Sequence, residues 1–166
     1  MFNKGNDFNN IIAIFNKRPN AWAKILGNET YANIKGVALF YQTSFGVVVS
    51  TQVIGLPKET NNCNSPIFAY HIHSGNSCTG NNHDEFFDAG VHLNPNSCLH
   101  PYHMGDLPPL FGVDGKAFSS VLTNRFTIKD IIGKTIFIHN MVDDFTTQPA
   151  GNSGTKIACG EIKYFK

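Results

Sequence analysis

The amino-acid sequence predicts one all-β domain, a sandwich or barrel of seven or eight short strands joined by turns and by two long loops. Three observations predict it. Short segments with apolar and polar residues in alternation recur between turn residues. No segment keeps a 3.6-residue apolar period long enough for a helix. The 166 residues, 42% hydrophobic and only 15% charged, suit a single domain with a substantial core. The whole chain, 1–166, therefore reads as one domain, with about 1–20 as an N-terminal extension.

Taken in order, Met1–Asn20 reads as that extension or as an extra edge strand. Its longest apolar stretch, Ile11 to Phe15, is shorter than the roughly 7–15 residue core of a secretory signal. No small-x-small cleavage site follows, so a cytoplasmic protein is expected. Trp22–Leu26 is a strand that stops at Gly27-Asn28. Gly36–Gln42 and Val47–Ile54 flank Thr43-Ser44-Phe45-Gly46, whose length and glycine suit a hairpin. Ile67–His73, Ala117–Leu122, Thr135–His139 and Lys156–Tyr164 complete the strands. Ser74–Phe111, rich in Gly, Asn, Asp, His and Pro, and Asn140–Thr155 read as irregular loops. Loops that long are uncommon unless they carry function. A formal net charge of +1 excludes the basic footprint of a nucleic-acid binder. No apolar run approaches the roughly 20 residues that span a bilayer.

The histidines are the informative residues. Along Ile67–His73, alternation places Phe68, Tyr70 and Ile72 on one face and His71 and His73 on the other. Residues i and i+2 of a strand sit about 7 Å apart, so two imidazoles there can converge on one ion. Phe137 and His139 share a face of a later strand, from which His139 offers a third nitrogen. The first loop offers His92, His100, His103 and Asp106. Three imidazoles and a carboxylate form a tetrahedral set suited to zinc, whereas a mostly imidazole set suits Cu(II). An isolated histidine is commonly a surface or satisfied core residue, and His83, beside Asn81, Asn82 and Asp84, reads as a solvated loop residue. The other six, with the aspartate, supply ligands enough for two ions. The four cysteines, Cys63, Cys78, Cys98 and Cys159, contain no C-x-x-C pair and by position alone suggest free thiols.

An ordered set of motifs then stands out: Tyr70-His71-Ile72-His73, Cys78-Thr79, Asp88-Ala89-Gly90-Val91-His92-Leu93-Asn94-Pro95 and His103-Met104-Gly105-Asp106-Leu107. Thr135-Ile136-Phe137-Ile138-His139, Asp143-Asp144 and Gly151–Gly160 follow. Together they resemble the copper/zinc superoxide dismutase family over about residues 35–164. The resemblance implies an eight-stranded Greek-key β-barrel, grouped with immunoglobulin-like sandwiches, that carries long metal-binding loops. It implies conversion of superoxide to oxygen and hydrogen peroxide, with copper and zinc as cofactors. Copper would fall to His71, His73, His92 and His139, and zinc to His92, His100, His103 and Asp106, with His92 bridging both ions. Asp143 would tie a copper-bound histidine to a zinc-bound one, and Cys78 would be bonded to Cys159. Cys63 and Cys98 match nothing in the pattern and are either free or bonded to each other.

Two departures bear on the expected activity. The family's guiding arginine corresponds to Lys156, which keeps the charge but lacks the planar fork of donors. With His92 and Lys156 as the catalytic pair, a slower and more salt-sensitive enzyme is expected, because a mobile ammonium orients an anion less well. Phe145–Thr155 holds no charged residue, so long-range guidance is expected to be weak. Pro101-Tyr102 between His100 and His103 is a compact spacing that looks bacterial. The superoxide anion is the expected partner, with no nucleic acid and no membrane, and a homodimer stays open. The alternative reading is a non-catalytic copper/zinc-binding protein on the same fold.

Overall fold

A computed structural model describes residues 13–58 and 66–166. Among them the strands are β1 (Ala21–Gly27), β2 (Lys35–Thr43), β3 (Gly46–Ile54), β4 (Ile67–His73) and β5 (Asp106–Phe111). These are followed by β6 (Lys116–Thr123), β7 (Thr135–His139), β8 (Lys156–Glu161) and β9 (Lys163–Tyr164), with one helical turn, α1 (Ile128–Ile131). The sheet order is β5-β4-β7-β8-β1-β2-β3-β6, and every pairing is antiparallel. β5 and β6, at the two ends of that order, approach each other without a shared ladder, so the eight strands form a nearly closed barrel. The neighbours β3–β6, β4–β7 and β1–β8 are not consecutive in the chain, which is the Greek-key pattern.

The core sits inside this barrel and is built from one face of each strand: Ile25, Phe40, Phe68, Ile72, Leu110, Ile136, Ile138 and Ile157 are fully buried. β6 shows the ordinary half-buried alternation, with one face open to solvent. β4 and β7 do not. Apart from half-buried Ile67, every residue of both strands is buried, because the loops after β4 and β7 lie over their outward faces.

The sequence reading missed β5, which lies inside the interval read as loop. Pro108 and Pro109 remove two backbone donors, yet the strand persists because it lies at the end of the sheet and pairs with β4 alone. The last strand is divided at Ile162, whose amide bonds the Lys134 carbonyl at 2.9 Å, and β9 pairs with β1 instead. The N-terminal extension expected for 1–20 lies largely outside the described residues. Its described end, Ala13–Asn16, is a 3-10 turn rather than a strand, with Ile14 packed on Tyr41 and Val48. No helix among the described residues is long and apolar enough to cross a membrane.

Candidate metal centre

Strand alternation does the first part of the construction. Phe68, Tyr70 and Ile72 of β4 enter the barrel core, which turns His71 and His73 outward. On β7, Ile136 and Ile138 enter the core while Phe137 and His139 turn outward. The β4–β7 register sets His71 opposite Phe137, and an irregularity between Ile138 and His139 in the β7–β8 ladder sets Lys156 opposite His139. Such bulges re-aim side chains beside functional sites.

The loop after β4 then doubles back along it. His92 forms an antiparallel bridge with His73, and the Leu93 amide donates to the Ile72 carbonyl at 2.8 Å. The Ile72 amide donates to Gly105, where a Cβ would run into the Ile72 carbonyl, so only glycine lets the loop lie this close. Asp106 begins β5 directly opposite His71. Arg125 braces this loop from outside, donating to the carbonyls of Pro101, His103 and Asp106 at 2.8, 3.1 and 3.2 Å.

The result is two buried ligand groups. One is His71, His73, His92 and His139; the other is His92, His100, His103 and Asp106; within each, the candidate ligand atoms lie within 4.8 Å of one another. His92 belongs to both. Its Nδ1 lies 2.8 Å from Asp106 Oδ1 and 3.4 Å from His103 Nδ1, while its Nε2 is buried with no hydrogen-bond partner. His71 Nδ1 is equally orphaned, and its ring centre lies 4.0 Å from that of His92. His73 Nε2 and His139 Nε2 approach to 3.3 Å. His100 Nδ1 lies 3.0 Å from Asp106 Oδ2 but off the line of a hydrogen bond, so it too has no hydrogen-bond partner.

In four of the six rings the other nitrogen is held by a partner, which fixes the ring's orientation. His73 Nδ1 lies 2.9 Å from the Gly90 carbonyl, and His139 Nδ1 lies 3.4 Å from Ser153 Oγ. Asp143 joins the two groups: its oxygens lie 2.7 Å from His71 Nε2 and 2.8 Å from His100 Nε2, and it accepts the Phe145 amide at 2.8 Å. Gly151 leaves room for this link, since a Cβ there would meet both Asp143 and His100. Burial pushes the Asp143 carboxyl up, but the hydrogen bonds from His71, His100 and the Phe145 amide outweigh it and hold it below the usual carboxylate range. Burial pulls His71 and His73 down and His139 to about 3, aided by neighbouring imidazoles, so all three stay neutral and keep a lone pair to donate.

A cleft of about 330 Å³ reaches the four-histidine group, lined by His73, Val91, His92, His139, Ser153 and Lys156 among others. The Lys156 ammonium is tied down by two hydrogen bonds, contrary to the mobile ammonium expected from the sequence. It donates to Asp84 Oδ2 at 2.7 Å and to the Phe86 carbonyl at 2.9 Å. Asp84 and Phe86 come from the loop that Cys78 ties to β8 through its disulfide with Cys159. Phe86, Ala89, Phe137 and Cys159 pack beneath that loop as a small separate core.

The family profile of the copper/zinc superoxide dismutases matches residues 34–162. The chain belongs to the copper/zinc superoxide dismutase family. Curated relatives agree: superoxide dismutase (Cu-Zn) 2 of Aquifex aeolicus is 30% identical over 168 residues, covering 92% of each chain. The Cu-Zn superoxide dismutase of Legionella pneumophila is 32% identical over 136 residues, covering 77% of each. That of Pasteurella multocida is 34% identical over 134 residues, covering 70% of this chain and 72% of its own.

Copper and zinc are this family's ions, and the donor sets fit them. Orphaned imidazole nitrogens at His71, His92 and His100 leave buried lone pairs that only a metal or a proton would satisfy. Four imidazoles suit copper, and three with a carboxylate suit zinc. Sequence reasoning named every member of both groups, together with Asp143, Lys156 and the Cys78–Cys159 bond. It did not find the roles of Asp84, Phe86 or Arg125, which depend on loop contacts rather than on spacing, and it named Gly151 only as part of a motif. His83 is exposed, Cys98 is an exposed free thiol, and Cys63 lies outside the described residues. Because Asp143 holds one ring in each group, Asp143→Ala should weaken metal retention about ten- to hundredfold, read by competition with a chelator. Retention equal to that of the unaltered protein would remove this role.

Proposed function

We propose that the chain is a superoxide dismutase whose copper site is His71, His73, His92 and His139 and whose zinc site is His92, His100, His103 and Asp106. The single supporting observation is His92, whose two nitrogens face two different ligand groups 2.8 Å from Asp106 on one side and beside His71 on the other. Two superoxide anions and two protons give one O₂ and one H₂O₂. Copper, when bound, supplies the one-electron couple, and zinc supplies fixed charge without redox change.

The chain's own residues do the rest. The loops over β4 and β7 exclude water from the ligand rings, and the cleft beside Lys156 admits a small anion to His73, His92 and His139. Lys156, the only formally charged side chain among the residues lining the cleft, draws the anion in. His92 Nε2, with no hydrogen-bond partner, is the atom on which a proton is held and handed to reduced oxygen. An open cleft distinguishes this reading from a closed copper or zinc store.

Decay of a superoxide pulse in the presence of protein loaded with both metals tests the proposal; decay no faster than with the free metals would overturn it. Lys156→Met should slow that rate about three- to tenfold at low salt and flatten its salt dependence, since it also leaves Asp84 uncompensated. A rate equal to that of the unaltered protein would exclude Lys156 from anion capture.

Compartment and assembly belong to the same proposal. The Cys78–Cys159 disulfide weighs against the cytoplasmic location that the sequence suggested, because reducing compartments rarely keep such bonds. Ile54, Phe111, Val113 and Phe118 make an exposed apolar face that favours a homodimer.

A further inference from the structure

Lys156 lines the metal cleft and is paired with Asp84, 72 residues away in the chain and 2.7 Å away in space. An ammonium has three protons to donate. Asp84 and the Phe86 carbonyl take two of them, and both acceptors belong to the same short loop. The side chain of Lys156 is 18% exposed and that of Asp84 40%, so the carboxylate is the more exposed partner of the pair. Lys156 is the only formally charged residue lining the cleft, and Asp84 reaches it from outside that lining. An anion therefore approaches a compensated pair rather than a lone cation. A unit charge acts across several ångströms of water, and a paired counter-ion a few ångströms further off cancels much of that pull.

We infer that Asp84 sets the rate of anion capture: its carboxylate positions Lys156 beside the cleft and offsets its charge, so the natural chain is a muted collector of small anions. This rests on the dismutase reading for the identity of the substrate, though not for the pairing itself. Asp84→Asn is nearly isosteric, and its one side-chain oxygen can still accept the Phe86 amide that Asp84 Oδ1 accepts at 2.9 Å. The amide nitrogen would then face Lys156, leaving the ammonium on the Phe86 carbonyl with its charge uncompensated.

The test compares protein loaded with both metals as the natural chain, Asp84→Asn and Asp84→Glu, with metal content matched. Superoxide decay is followed from low to about 0.5 M salt, and azide affinity is read separately from the visible spectrum of the copper site. Asp84→Asn should capture superoxide about two- to fivefold faster at low salt, with the gain vanishing as screening shortens the Debye length. Its azide affinity should rise by a similar factor, and Asp84→Glu should restore natural behaviour in both readings. A rate and azide affinity in Asp84→Asn equal to or below the natural values would overturn the inference. So would Asp84→Glu behaving like Asp84→Asn, which would assign the residue to loop geometry alone. If the natural chain fails to accelerate superoxide decay, the dismutase reading falls while the azide comparison still decides the role of Asp84.

Discussion

Replacing His92 with alanine should abolish dismutation, lowering the rate by more than about a hundredfold, beyond the ten- to hundredfold cost of losing an outer partner of a metal ligand. The ring is the shared wall between the two ligand groups. On one side Nδ1 lies 2.8 Å from Asp106 and 3.4 Å from His103; on the other, orphaned Nε2 faces rings whose centres lie 4.0 Å (His71) and 5.0 Å (His73) away. Alanine removes a donor from both groups at once, so zinc and copper retention should fall together. Elemental analysis after dialysis against a weak chelator reads the two losses separately. Loss of one ion alone, or turnover within tenfold of the natural rate, would show that His92 is not common to both sites. The fold should survive, because His92 lies on the outward side of β4 and contributes nothing to the barrel core.

The disulfide should give the largest effect on stability. Cys78 and Cys159 are 81 residues apart, and cross-links closing loops of that length are worth about 2–5 kcal/mol. The double substitution Cys78→Ser, Cys159→Ser should therefore lower the urea-unfolding free energy by that amount and the melting temperature by about 5–15 °C. The loss should be felt first where the bond is anchored. Cys159 packs with Phe86, Ala89 and Phe137, and the Phe86 carbonyl holds Lys156, so activity should decline below the melting transition as that loop loosens. Parallel loss of activity and of global structure would contradict this order.

The parts of this molecule that were legible in the sequence are those governed by a short period. Alternation in Ile67–His73 put two histidines on one face of a strand, and the structure seats them outward while Phe68, Tyr70 and Ile72 fill the barrel. The first loop's three histidines and Asp106 offered the second group, and the ordered motifs added the sharing of His92, Asp143 and the disulfide. β5 was hidden because Pro108 and Pro109 read as loop, and only its position at the sheet's end makes a strand of them. The division of the last strand at Ile162 was hidden for a related reason: alternation continues through it while the pairing partner changes. Asp84 illustrates a different limit. It lies in a run of Asn, His, Asp and Glu with no period, and its partner is 72 residues away. Arg125 likewise acts on three carbonyls, which no side-chain pattern can announce.

The carboxylate of residue 143 has a thermodynamic corollary. It grips one ring on a barrel strand and one in the adjoining loop, so whichever ion arrives first immobilises a ring that the second would otherwise have to order. Occupancy of either pocket should thus lower the ordering cost at its neighbour, and by reciprocity that contribution is the same in both directions, whatever the sequence of filling.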